Sequence, residues 1–358
     1  MEAKKEKFIL LADPEHYVPD TWDLTHDAEG LEYWLDQTLM VFEAVLQAAR
    51  QSLVTNPARL EEAIDEARNL LHKTLDDLKA DLEAHAPVTI FYLDRLTRRI
   101  LTKCGLQDPF LKIKHEENVK ACAHYPRLTK AHDKLNLESQ IRVLTEGILA
   151  GNVFDLGAKA TLHRYSKESP DFYYTLDGLP GHPWLVDDYE EWKEFLLSPK
   201  QTLRRVMFFV DNAGPDFVLG CLPLVRILGK RGATVVLAAN DQPHYNDMTV
   251  PECRAVMKGV AEVDAVLRYL LQSRRIHLVG TGSKYCLLDF RGVSEACNEE
   301  AAGTDLIILE GMGRSIESNW NARFTCPTLK IAMLKDEWDA KKLGGKLYDL
   351  VCKFEMPH

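Results

Sequence analysis

The chain has 358 residues, a formal net charge of −10, 46% hydrophobic residues and 27% charged residues. This is the balance of an ordinary globular protein with length for about two domains. It carries no basic run or basic–aromatic stripe, which speaks against a nucleic-acid partner, and no apolar run nears the ~18 residues of a membrane helix.

Near the start, the apolar stretch FILLA is too short for the core of a secretion signal. The eight cysteines form no C-x-x-C pair, so zinc and dithiol redox readings are weak. Cys221 and Cys352 sit in apolar runs and read as core thiols. Reduced cysteines in such a chain fit a cytoplasmic location.

From about 30 to 159 the rhythm is helical. Leu31, Trp34, Leu35, Leu39 and Phe42 mark one face of an amphipathic helix. Asn56-Pro57 breaks the chain before a charged helix over 58–84. Ile90, Leu93, Leu96 and Ile100 mark a third, and 143–150 and 156–163 also read as helical. Residues 165–185 are rich in Ser, Pro, Gly and Asp and read as a loop, followed by a helix over 189–197.

After 201 short apolar runs alternate with helical stretches. The runs are VMFFV (206–210), ATVVLAA (233–239), RIHLVG (275–280), DLIIL (305–309), LKIAML (329–334) and KLYDLVCKF (346–354). Most are apolar on both faces, as strands covered on both sides must be. The pattern predicts a three-layer α/β/α domain with a mostly parallel sheet over 166–358, preceded by a helical domain over 1–165.

Ligands of open parallel sheets bind beyond the carboxyl ends of the strands. Five successive strand ends carry polar or glycine-rich residues: Asp211-Asn212, then Asn240 with Asp247 beyond it, then Thr281-Gly282-Ser283, then Glu310-Gly311-Met312-Gly313-Arg314, then Lys335-Asp336. Each alone reads as a turn or a helix cap. Together they describe one site. Asp211, Asn212 and Asp247 are hard oxygen donors suited to magnesium or manganese. Gly311 and Gly313 would let backbone approach a phosphate, with Arg314 and Lys335 neutralising charge. Position 213 is Ala, so the D-x-D of an aspartyl-phosphate enzyme is absent. No G-x-x-x-x-G-K-[ST] loop, G-x-S-x-G elbow or dinucleotide fingerprint is present.

At these residues the sequence resembles the DUF89 damage-control phosphatases. The branch is that of the C-terminal phosphatase domain of pantothenate kinase 4 and its stand-alone plant relatives. The signature EGMGR stands intact at 310–314, and further matching stretches run from 10–25 to 343–355. The resemblance implies a divalent metal (Mg, Mn, Co or Ni) held by Asp211, Asn212 and Asp247. It also implies a phosphate contact from Lys335 and substrate contacts from Asn152 and Asp155. Asn240, Ser283 and Glu310 complete the candidate substrate set.

The expected activity is metal-dependent hydrolysis of a small phosphorylated metabolite. By resemblance this is 4′-phosphopantetheine or its oxidised or damaged forms, with sugar phosphates as further substrates. Asp247 or Asp216 would take the proton. One departure stands out: the family's usual Asp-Asn-Ser-Gly has Ala213 in place of Ser, which removes a hydroxyl donor. Two rival readings remain at this stage, a catalytically silent metabolite-binding regulator and a methyltransferase.

Overall fold

The computed structural model describes residues 5–19, 22–53, 56–155, 171–200 and 202–357. The helix expected over 156–163 lies outside these residues. After the short strand β1 (Lys5–Glu6) come helices α1 (Ala28–Ser52), α2 (Pro57–Ala80), α3 (Ile90–Lys103), α4 (Leu111–His132) and α5 (Leu137–Gly151). Then follow α6 (Phe172–Asp177), β2 (Val186–Asp187) and α7 (Tyr189–Leu197). Asn56 caps α2 and Pro57 occupies its first turn, where a missing N–H costs nothing. The stretch read as a loop over 165–185 therefore contains a helix. Asp171 caps it, its side chain accepting from the Tyr174 amide, and Phe172 anchors it in the core.

All six apolar runs form strands. They are β3 (Arg205–Phe209), β4 (Thr234–Ala239), β5 (Ile276–Gly280), then, after the two-residue β6 (Val293–Ser294), β7 (Leu306–Glu310), β8 (Thr328–Met333) and β9 (Leu350–Glu355). The seven-stranded sheet has the order β2-β9-β8-β7-β3-β4-β5. Its pairs are parallel except β8–β9. The helices between strands are α8 (Leu222–Lys230), α9 (Val250–Val263), α10 (Ala265–Gln272), α11 (Glu295–Ala301), the single turn α12 (Met312–Ser315) and α13 (Glu337–Lys342). A π-helical turn, Asp216–Cys221, leads into α8.

The two-residue period of a strand sorts the core. Val206, Phe208, Leu306 and Ile308 join helices on one face. Met207, Phe209, Ile307 and Leu309 face the other, which Phe8, Leu11, Phe290 and Cys297 cover. That second layer is thin, with α11 its main helix. The expected boundary at 165 does not coincide with the packing. Helices α1 to α3 have a core of their own around Phe42, Leu71 and Leu96. In contrast, Tyr125 of α4 and Ile148 of α5 belong to the sheet's core.

At the end of α4, burial lowers the His132 pKa from 6.5 to about 4. The adjacent Asp133 is held down to about 2 by Arg226, which donates to both of its oxygens at 2.7 Å. The folded His132 therefore binds its proton later than the unfolded chain does as pH falls. Its contribution is present above 6.5 and is lost toward pH 4. Urea unfolding should lose about 2 kcal/mol more between pH 7 and pH 4.5 in the parent protein than in His132→Leu. A gap between the two that does not change with pH would rule this out.

Candidate active site

In the sheet order, β3, β4 and β5 run outward to one side, and β7, β8 and β9 to the other. The switch lies between β3 and β7, the usual place for a ligand crevice. Asp211 and Asn212 leave the end of β3, and Glu310 and Gly311 end β7. The loop after β4 returns Asp247 to this point, bridging Asn212. Neither strand-end group is a cap. The turn at Asp216 has no side-chain cap, and α9 is capped by Thr249 with Glu252, which leaves Asp247 to the site.

The side chains form a buried polar cluster. Arg314 lies between two carboxylates, pairing with Asp211 and, at 3.0 Å, with Asp247. Asn212 donates to Asp211 at 2.8 Å and to Asp216 at 3.0 Å, which leaves its carbonyl oxygen as the atom it can offer. Asn152, at the end of α5, donates to Glu310 at 2.8 Å. Lys335 donates to the Asn152 backbone oxygen at 2.7 Å and pairs with Asp155 at 3.0 Å. Asn240 donates to Asp247 at 2.9 Å, so it positions that carboxylate.

Gly311 has a φ of +94°, and a Cβ there would collide with the Asp211 carboxylate. Glycine is required at this position by both conformation and space. Its own amide donates to Ile331 at 3.0 Å in the sheet and is spent there, contrary to a phosphate role.

The electrostatics are unbalanced. Asp155, Asp211, Asp216, Asp247 and Glu310 are five carboxylates facing the two cations Arg314 and Lys335. Burial, with the charge of Asp211 added, pushes Asp216 up to about 7. Burial also pushes Asp247 up to about 8, against the pull of Arg314. Glu310, fully enclosed, is held well above the usual carboxylate range. One oxygen of Asp216 is buried without a hydrogen-bond partner among the described residues. Such a donor set, all oxygen and in excess of positive charge, fits a hard divalent cation.

A cavity of about 790 Å³, its open mouth included, lies against this cluster. Asp155, Asp211, Asn212, Asp247 and Gly313 line it. Asn152, Glu310, Arg314 and Lys335 are at most 3% exposed and lie behind that lining. Glu310 supports the site by accepting the Asp211 amide at 2.8 Å. Ser283 is not brought in: its hydroxyl serves its own loop at Tyr285, and it lines a separate cavity with Lys5 and Arg95. Ala213 packs in the apolar core, while its amide donates to Asn246 at 2.8 Å.

Residues 40–351 match the damage-control phosphatase ARMT1-like domain. The chain belongs to this family. Among curated relatives of this damage-control phosphatase family member, mouse 4′-phosphopantetheine phosphatase is 32% identical over an alignment of 402 residues, covering 97% of this chain and 48% of the relative. The damage-control phosphatase At2g17340 of Arabidopsis thaliana is 36% identical over 300 residues, covering 83% of this chain and 80% of the relative. The chain thus spans about half the length of the mouse relative. A DUF89 family protein from Pyrococcus horikoshii has the same fold, with a TM-score of 0.59 at 18% identity, covering 90% of this chain and 96% of that one.

The cavity's other wall was not foreseen. It comes from α1 and α3, through residues such as Trp34, Gln37, Leu93 and Asp94, and Glu317 and Asp336 complete it. Periodicity marks Trp34 and Leu93 as core. Nothing local distinguishes a helix face that meets another helix from one that meets a cavity.

Proposed function

We propose that this chain is a divalent-metal-dependent phosphomonoester hydrolase acting on 4′-phosphopantetheine or its damaged forms. The observation that carries the reading is the group of five carboxylates against two cations at the switch point of the sheet, with Asp211, Asn212 and Asp247 facing the cavity. The names of the mouse and Arabidopsis relatives support the substrate class and the activity.

Asp211, Asn212 and Asp247 would hold the metal. A bound divalent ion supplies Lewis acidity and a more acidic water. The chain's own residues do the rest. Arg314 and Lys335 supply a fixed positive field at the cavity floor, where charge on the phosphoryl oxygens would be stabilised. Of the two candidate proton acceptors, Asp216 is 0% exposed behind Asn212, whereas Asp247 reaches the cavity. Its place at the cavity supports Asp247 as the carboxylate that would take a proton from attacking water. Asn152 and Glu310 hold Asp211 in place. With Ala213 in the core rather than at the cavity, the replaced hydroxyl gives no support to the silent-binder reading.

The test is phosphate release from 4′-phosphopantetheine, sugar phosphates and nucleotides with Mg, Mn, Co or Ni in turn. Release should require metal, stop on chelation and favour phosphopantetheine. Release that continues undiminished in chelator, or none with any metal, would sink the proposal. No helix among the described residues is long and apolar enough to cross a membrane.

A further inference from the structure

We infer that the cavity wall built by α1 and α3 recognises an uncharged, amide-bearing alkyl arm on the phosphomonoester, with Trp34, Gln37 and Asp94 as its polar contacts. This deepens the phosphatase reading above and rests on it.

The cavity has two unlike sides. Its floor is the carboxylate cluster. Its opposite wall is mostly hydrocarbon, from Val41 on α1, Ile90 and Leu93 on α3, and Leu287. Thr38 and Thr97 line it too, with their hydroxyls donating to backbone oxygens of their own helices, and the polar residues left to a ligand there include Trp34, Gln37 and Asp94. Trp34 and Gln37 are three positions apart on α1 and share a face, and Asp94 comes from α3. Trp34 Nε1, Gln37 Oε1 and Asp94 Oδ2 are buried and have no hydrogen-bond partner among the described residues. Buried polar atoms in native proteins are nearly always paired, so three unpaired atoms on one cavity's lining residues point to a ligand that meets them.

The chemistry of these atoms selects the ligand. They are one N–H donor and two oxygen acceptors. An amide presents the complement, a carbonyl oxygen for Trp34 and an N–H for Gln37 or Asp94. Alkyl segments between amides suit the apolar surface between them. A sugar would set some of its hydroxyls against the hydrocarbon of Val41, Ile90, Leu93 and Leu287, and burying an unmet hydroxyl is costly. A second anionic group is also disfavoured, because Asp94, Glu317 and Asp336 line the same space. The far end of the ligand is therefore neutral.

The remaining partners of these residues show that the wall is rigid. Gln37 donates its amide to Asp336 at 2.9 Å, which orients its oxygen. Asp94 is fixed through its other oxygen by His244 at 2.5 Å. Trp34 is braced by Tyr33, edge to face at 5.8 Å.

The experiment compares 4′-phosphopantetheine with p-nitrophenyl phosphate, which has no amide, using the full chain with metal and its Trp34→Phe variant. Phe keeps an aromatic ring and loses the N–H. For phosphopantetheine, kcat/KM should fall about threefold to tenfold, mainly through KM, while p-nitrophenyl phosphate stays within about twofold. Unphosphorylated pantetheine should inhibit p-nitrophenyl phosphate hydrolysis competitively, and its inhibition constant should rise by the same factor in the variant. Equal effects on both esters, or no inhibition of the parent protein by pantetheine, would overturn the inference. If neither ester is hydrolysed, the phosphatase reading fails by itself. Calorimetric titration of pantetheine into the two proteins then decides the wall, with weaker binding to the variant supporting it and equal or no binding overturning it.

Discussion

Asp211→Asn is expected to abolish activity while leaving the protein as stable as before or more so. Asp211 faces the cavity at the end of β3 and is the carboxylate to which Arg314, Asn152 and Asn212 all donate. Its loss as a ligand and charge should lower kcat/KM at least about 1000-fold. Stability should move the other way. Burial holds the Asp211 carboxyl above its ordinary range, with Arg314 and Lys335 opposing that rise. A carboxylate so placed opposes folding at neutral pH. The asparagine keeps the volume, removes the charge that raises Asp216, Asp247 and Glu310, and leaves Arg314 paired with Asp247. In metal-free buffer the melting temperature should rise by about 2 °C. Phosphate release and thermal unfolding measured on the same preparation check both halves. Activity within tenfold of the parent would remove Asp211 from the metal site. A melting temperature several degrees lower would show that the Arg314 pair outweighs the repulsion.

Lys335→Met should lose on both counts. The Lys335 side chain is 0% exposed and holds Asn152 through two oxygens and Asp155 through one. Methionine matches its stem but has no charge or donor. The variant takes the paired cation from Asp155 and the Lys335 donor from both Asn152 oxygens, and it leaves Arg314 as the one cation named against the carboxylate cluster. Removing one partner from a buried pair costs about 3–5 kcal/mol, which lowers the melting temperature by about 5 °C at this chain length. Activity should fall about 100- to 1000-fold as the positive field at the floor weakens. The two changes are coupled through charge. Asp211→Asn should therefore restore stability to Lys335→Met by more than it adds to the parent protein, and a double-mutant cycle measures that excess. An additive cycle would mean that Lys335 acts by local hydrogen bonding and not through the charge balance.

Much of this was legible in the residues alone. Strands β3, β4, β5, β7, β8 and β9 were all visible as apolar runs, because a short run that is apolar on both faces has few other ways to be buried. The gathering of Asp211, Asn212, Asp247 and Arg314 followed from one rule, that strand ends on one edge of a parallel sheet share a crevice. The same rule misplaced Ser283. It too follows a strand, but Gly282, with a φ of +82°, turns the chain so that its hydroxyl serves the loop. Strand ends give position along an edge and not the direction of each side chain. Glu310 illustrates the same limit: its place in the signature was plain, yet it lies wholly behind Asp211 and acts as a support.

The helical half shows where local pattern stops. Periodicity located α1, α3 and α5 but was silent on partners. Both α4 and α5 fall within the expected helical domain of 1–165 and instead pack on the sheet, while α1 and α3 wall the cavity. An amphipathic stripe records that a face is buried, and it is the same stripe whatever buries it. The sequence by itself determined the sheet, the strand-end chemistry and the family. Only the tertiary structure decided which groups face the ligand, which stand behind them, and that a helix face carrying Trp34 and Gln37 closes the site. Those outcomes depend on how distant elements are oriented against one another, and no residue's immediate neighbours in the chain carry that information.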